Sequence, residues 1–392
     1  MIAGRIYLDN AAGAPLRPEA AALMTDLHRE GIGNPNGGHA EARRARAVLD
    51  EARASLAEDF DVEPRAITFT STASEALALA LSSELKRGGT LITSAGEHRG
   101  ARALAAAHEA GGGRVVLLPI DATGRWSATS LEELWSASSA DGAPPVTLLS
   151  LASGEVGAVQ PSLASLDRDD CATVLDGVQL DGARAVRFAD TGATHLSLSS
   201  AKVGGPFGVA GLISADPRRI RALVPGGGQE RGRRGGTEAV VLAAAYALAH
   251  RLHRRSLAAF VAACESAARA FDAALGTPEA IGLTATGPDP RSLPSGRLPG
   301  HRSFAADWVL GDDLVAALDH AGVAASTGSA CISGSREPSE ALLAMGLSRA
   351  QAAGGLRLTF GERSTTDDAA RAAAALIEVA TRIHQHAEVT VR

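Results

Sequence analysis

The segment RAITFTSTASEALALALSSELKRGGTLITSAGEHRG, Arg65 to Gly100, sets the architecture to expect. RAITFT is a short run of apolar and β-branched residues and reads as a strand; a helical pattern follows from Ser74, and TLITS, Thr90 to Ser94, reads as the next strand. The same alternation continues outward through an alanine-rich helix, then RVVLLPI (Arg114 to Ile120), PVTLLSLA (Pro145 to Ala152), ATVLD (Ala172 to Asp176) and HLSLSS (His195 to Ser200). Strands apolar on both faces and separated by helices predict an α/β fold with a mostly parallel sheet covered on both sides. Ligands of such sheets bind beyond the carboxyl ends of the strands. Those ends here are small and polar: Thr70-Ser71, Gly96-Glu97-His98, Ser153-Gly154-Glu155, Asp176, and Ser199 to Lys202. They are expected to converge on one edge.

At 392 residues the chain exceeds the size at which single cores stop growing, roughly 250 to 300 residues. After VPGGGQERGRRGGTEAV (Val224 to Val240) a long alanine-rich helical pattern runs to about Leu275, followed by a Gly/Pro-rich stretch and further strand and helix signals, with LRLTFGE (Leu356 to Glu362) the clearest strand. We expect a large domain over residues 1–250 and a smaller α/β domain over 251–392, with residues 1–15 contributing to the smaller one. A net charge of -6 gives no electrostatic reason to expect nucleic acid or an anionic membrane as partner. No run of eighteen apolar residues occurs, and the amino-terminal stretch lacks a signal core. Three cysteines, Cys171, Cys264 and Cys331, make no disulfide framework, so a reducing cytoplasm is expected.

Lys202 and Lys86 are the only lysines in a chain whose other basic side chains are arginines. A guanidinium stays protonated, whereas a lysine amine can lose its proton and attack a carbonyl, so position 202 reads as chemical rather than as a solvated loop charge. Asp176 closes a strand and fits two readings, a cap for the following helix or the acid that pairs with the pyridine nitrogen of pyridoxal 5'-phosphate (PLP). STASEA (Ser71 to Ala76) opens a helix, where the N–H groups around Ala73 and Ser74 and the Ser74 hydroxyl can receive a phosphate or simply cap. His98 reads as a ring that stacks on a cofactor or as a structural histidine, and Ser199 and Thr237 as phosphate contacts or turn hydroxyls. Cys331, in ASTGSACISGSREPS, is a reachable thiol and the candidate nucleophile, unlike Cys171 and Cys264 in apolar contexts. Arg357, inside LRLTF, fits either an ion pair with a structural acid or a forked receptor for a substrate carboxylate.

With these residues assembled, the chain resembles the PLP-dependent cysteine desulfurases of the NifS/IscS type, in the class V aminotransferase superfamily of fold type I. The resemblance runs from IYLDNAAGAP (Ile6 to Pro15) to LRLTFGE, and GNPNGGH (Gly33 to His39), FTSTASEA, GEHRG, VLDGVQ, GGGQERGRRGGT and STGSACISGSREPS occur in the family's order. It implies a seven-stranded, mostly parallel sheet, with Lys202 forming the imine with PLP and shuttling protons. It further implies Asp176 on the pyridine nitrogen, Gln179 near the ring hydroxyl, and His98 stacking on the ring. Ala73, Ser74 and Ser199 would hold the phosphate, with Thr237 reaching across a homodimer. Arg357 and Asn34 would bind the carboxylate of L-cysteine. Cys331 would take the sulfur as a persulfide, release alanine, and pass the sulfur to an acceptor protein or small thiol. No metal is implied.

The sequence departs from the family pattern at Ala201, where a histidine usually precedes the lysine, and at Ser153-Gly154, where paired asparagines are usual; DNAAGAP also lacks the usual threonines. Two rival readings follow. One is a PLP-dependent carbon-sulfur lyase of a specialised pathway, with Cys331 a bystander; the other is a degenerate, non-catalytic scaffold.

Overall fold

The computed structural model describes residues 4–139, 144–166, 171–293, 295–328 and 337–390. Cys331 lies outside them. The strands are β1 (Ile6–Tyr7), β2 (Ile67–Thr70), β3 (Thr90–Ser94), β4 (Arg114–Leu118), β5 (Val146–Ser150), β6 (Ala172–Asp176), β7 (His195–Ser199), β8 (Ala210–Ser214), β9 (Thr284–Ala285), β10 (His301–Ala305), β11 (Val323–Ala324) and β12 (Leu356–Thr359). The helices are α1 (Pro18–Arg29), α2 (Ala40–Phe60), α3 (Ala73–Glu84), α4 (Arg99–Ala110), α5 (Ala128–Ser139), α6 (Val178–Asp181), α7 (Gln229–Gly232), α8 (Val240–Leu275), α9 (Gly311–His320), α10 (Glu340–Ala344), α11 (Arg349–Ala353) and α12 (Thr366–Thr390).

A seven-stranded sheet in the order β2-β8-β7-β6-β5-β3-β4 forms the centre, as expected. Only β8 runs against its neighbours, β2 and β7. The segment AGLIS that forms β8 went unread as a strand in the sequence, because it follows a Gly-rich loop and no helix separates it from β7. β2 starts two residues later than the apolar run, since Pro64 turns Pro64–Ala66 into a 3-10 turn first. Residues Leu148, Leu149, Val174, Leu175 and Leu196 are wholly buried, as a sheet covered on both faces requires.

A second core lies around the three-stranded sheet β12-β10-β9 and the pair β1-β11. It gathers Phe271, Phe304, Leu314, Leu356, Leu358 and Leu376 with Ile6 and Leu8 of the amino-terminal segment. At 1.5 Å per residue, α8 is about 54 Å long. Its first half packs Val240, Ala243 and Tyr246 into the central core, and its second half packs Ala267, Phe271 and Leu275 into the other. One helix thereby joins both cores.

Candidate active site

Parallel pairing places the ends of β3, β5, β6 and β7 side by side, with Ser150 opposite Asp176 and Asp176 opposite Ser197. The residues that follow those strands form the site. Lys202 ends a 3-10 turn, Ser200–Lys202, directly after β7. The turn depends on glycine: a Cβ on Gly205 would lie 2.1 Å from Ser200 Oγ, and Gly204 holds φ +77. Lys202 Nζ donates to the carbonyl of Ala12 at 2.7 Å, and Gln179 Nε2 donates to that of Ala11 at 3.0 Å. The amino-terminal loop thus closes over both side chains. A cavity of about 290 Å³ adjoins them, lined by Lys202, Gln179, Asn10, His253, His301 and Thr359 among others.

Asp176 sits on the floor of the site, where Oδ1 accepts from Val178 N at 3.0 Å. It therefore satisfies the first N–H of α6 from just outside the N-cap residue Gly177, close to the capping role that one of the two sequence readings gives it. Burial raises its pKa, opposed by the Val178 N–H and by the charges of His98 and Lys202. His98 caps α4, its Nδ1 accepting from Gly100 N at 3.0 Å. Burial lowers the His98 pKa, with Asp176 pulling it up and Lys202 and Arg357 pushing it down. Neutral His98 then carries its proton on Nε2.

Glu97 was missed as a site residue. It is buried next to His98, accepts a hydrogen bond from Ser150, and is pushed up to about 7, by burial first and also by the charge of Asp176. Its residue type carried no signal, since an acid at a strand end reads equally well as exposed.

The start of α3 is an open anion cradle. Thr72 accepts from Glu75 N at 3.1 Å and Glu75 accepts from Ser71 N at 2.8 Å, so capping is done by these residues. The N–H groups of Ala73 and Ser74 have no acceptor among the described residues, and Ser74 is exposed beside Gly100. Such a helix end carries partial positive charge. An unengaged pair of N–H groups, a buried carboxylate and a lysine at one sheet edge fit the phosphate, the ring nitrogen and the aldehyde of PLP.

Arg357 is 5% exposed on β12. Its Nη1 donates to the carbonyl of Gly154 at 2.8 Å and its Nη2 to Asp9 Oδ1 at 2.7 Å. The structural acid that the sequence left open is Asp9. His301 Nε2 also faces the Gly154 carbonyl, at 3.3 Å, and burial with the charges of Arg357 and Arg297 holds the imidazole neutral. Gly154, the departure from the usual asparagine, leaves room that Gln179 fills: a Cβ there would lie 3.0 Å from Gln179 Nε2.

Two predicted residues are not joined to this cluster by any hydrogen bond within the described chain. Asn34 is exposed and accepts from Asn36 N at 3.0 Å; Asn36 in turn donates to Glu238 at 2.9 Å. Thr237 is exposed beside that same Glu238. Ser199 is half-buried at the end of β7.

A sheet edge carrying a lysine, a floor carboxylate and an open helix start belongs to the α/β enzymes of the PLP-dependent transferase type. Residues 6–371 match the family described as Aminotransferase class-V. The IscS-like cysteine desulfurase of Mycobacterium tuberculosis is 32% identical over 375 residues, covering 92% of this chain and 93% of that protein. A cysteine desulfurase of Gluconacetobacter diazotrophicus is 32% identical over 380 residues, covering 93% and 91%. Among solved structures, a NifS-like protein superposes with a TM-score of 0.85 at 25% identity, covering 96% of this chain and 100% of that one. SspA, solved in complex with cysteine, gives 0.73 at 25% identity over 91% and 99%. The chain belongs to the class V aminotransferase family, among its NifS/IscS-like cysteine desulfurases.

Proposed function

We propose that this protein removes sulfur from L-cysteine with PLP, giving L-alanine and a persulfide on Cys331. The observation that carries this reading is the convergence of Lys202, Asp176, His98 and the open start of α3 on one sheet edge, with Arg357 beside them. Ala73, Ser74 and Ser199 would hold the phosphate, Asp176 the ring nitrogen, and His98 one ring face. Gln179, bonded to the Ala11 carbonyl, would serve the ring hydroxyl.

When bound, PLP supplies an electron sink for the bonds of the substrate α-carbon. Lys202 moves the proton at that carbon, and the Ala12 carbonyl fixes where its amine waits. Arg357 holds the substrate carboxylate. The Cys331 thiolate forms a bond to the substrate sulfur as the carbon-sulfur bond breaks; the electron pair stays on the carbon skeleton, which takes a proton and leaves as alanine. The persulfide sulfur then passes to an acceptor protein or small thiol.

We further read the molecule as a homodimer in which Thr237 reaches the partner's phosphate site, a reading supported by its exposure, and Asn34, exposed and held by Asn36 N, as a contact of the substrate carboxylate. The two cores that meet along α8 support a large lobe over residues 1–250 and a smaller one over 251–392. No described helix is long and apolar enough to cross a membrane. Cys171 and Cys264 are buried, and we read the compartment as a reducing cytoplasm.

The test is incubation of the PLP-loaded protein with L-cysteine, with alanine, pyruvate and Cys331 persulfide measured together. Alanine and persulfide in equal amounts are expected in the first turnover, and Cys331→Ala should lose both. Pyruvate in place of alanine would make the protein a β-eliminating lyase, and no product at all a scaffold.

A further inference from the structure

The geometry points to Asp9 as a specificity-determining residue: with Arg357 it forms a charge pair that accepts an α-amino acid as a zwitterion and disfavours carboxylates lacking an α-ammonium group. This rests on reading Arg357 as the receptor of the substrate carboxylate.

The guanidinium of Arg357 has five N–H donors. Nη1 is engaged by the Gly154 carbonyl and Nη2 by Asp9 Oδ1, whereas Nε is buried without a partner among the described residues. An unpaired donor on a buried cation is costly, so the Nε edge awaits an acceptor. Asp9 presents the complementary vacancy. Its Oδ1 is bound to Arg357, its Oδ2 accepts no hydrogen bond among the described residues, and its side chain keeps 21% of its surface exposed.

Asp9 is not needed to tie the amino-terminal segment down. That task falls to the backbone and to its neighbours: Thr359 N donates to Leu8 O at 2.7 Å, Asn10 Nδ2 to Thr359 O at 2.7 Å, and Ala11 N to Thr359 Oγ1 at 2.9 Å. These bonds fix Asp9 two residues along β12 from Arg357, in the bridge Asp9↔Thr359. A full negative charge is thereby held against the guanidinium assigned to receive the substrate carboxylate.

The consequence is electrostatic. A ligand carboxylate reaching Arg357 meets a cation already half neutralised and a like charge beside it, an interaction that low-dielectric surroundings strengthen. An α-ammonium group on the same ligand removes that repulsion, because Asp9 Oδ2 is free to accept from it. A carboxylate without the ammonium has no such compensation. The pair therefore discriminates by charge pattern before any bond is made.

Calorimetric titration of the holoenzyme with propionate, and inhibition of cysteine turnover by 3-mercaptopropionate, test this directly. Both probes carry the carboxylate without the amine. In Asp9→Asn, which keeps the shape and the Oδ1 acceptor, propionate and 3-mercaptopropionate are expected to bind on the order of tenfold more tightly, while KM for L-cysteine does not fall. Asp9→Ser should do the same if Asp9→Asn is poorly folded. If both variants weaken propionate and cysteine by the same factor, Asp9 only positions Arg357 and the inference is overturned; unchanged propionate binding overturns it as well. Arg357→Gln separates the underlying reading: it should abolish propionate binding with either residue at position 9. Propionate binding that survives Arg357→Gln would remove the carboxylate-receptor reading itself, and the role of Asp9 with it.

Discussion

Asp176 shows how much of a residue's chemistry its immediate neighbours set. The Val178 N–H and the charges of Lys202 and His98 oppose the burial that raises its pKa. Asp176→Asn keeps the capping bond to Val178 but removes the charge that would hold a protonated ring nitrogen. Alanine formation is expected to fall on the order of 10²-fold or more, with a changed absorption band of the bound cofactor, as removal of one preorganised electrostatic group does. Asp176 was legible in the sequence because it closes a strand that an apolar run marks locally, and Lys202 because it is one of only two lysines and stands just past such a strand. Glu97, Asp9 and the carbonyl of Gly154 were not, since their meaning comes from what lies opposite. Gln179 was read by family likeness, but its bond to Ala11, 168 residues away, appears only in three dimensions.

Among the elements, α2, α6 and α8 are locked by a buried charge network. His250 of α8 is fully buried between Asp59 of α2, at 2.6 Å, and Asp181 of α6, at 3.1 Å. Burial alone would lower the imidazole pKa, but the two carboxylates outweigh it and raise the value to about 9. A folded-state pKa above the ordinary value of about 6.5 means that this contribution is fully present below pH 6.5 and is lost as pH rises through 9; its size is roughly 3 kcal/mol. The melting temperature should fall between pH 7 and 9. His250→Gln should melt lower and lose most of that slope, and an unchanged slope would remove the network as its cause. Since α6 carries Gln179 and starts two residues after Asp176, the network also steadies the floor of the site. In the sequence, α8 was visible as a long alanine-rich pattern, whereas the burial of His250 was not, because a histidine in a helix gives no sign of which face meets an acid.

Across the whole molecule, Phe207 is 74% exposed and Val224 57%, with Leu223 also open. Phe207 lies in the Gly-rich loop after Lys202, and a Cβ on Gly13 of the amino-terminal loop would come within 3.1 Å of its ring. Large apolar side chains left open in this way are favoured interface material, and under the proposed homodimer they are the residues expected at its contact. Phe207→Glu is expected to shift the protein toward monomer in sedimentation velocity and to reduce activity with it; an unaltered sedimentation coefficient would place the contact elsewhere. The chain's own residues thus fixed, by local periodicity, an α/β sheet with its polar strand ends on one edge, and by residue type a lysine suited to imine chemistry. Only the folded chain settled that β8 enters the sheet antiparallel and that Asp9 meets Arg357 across 348 residues. The physical reason is range: apolar spacing is recorded within a few residues, but an ion pair between chain ends exists only after two cores and the helix that joins them have brought those ends together.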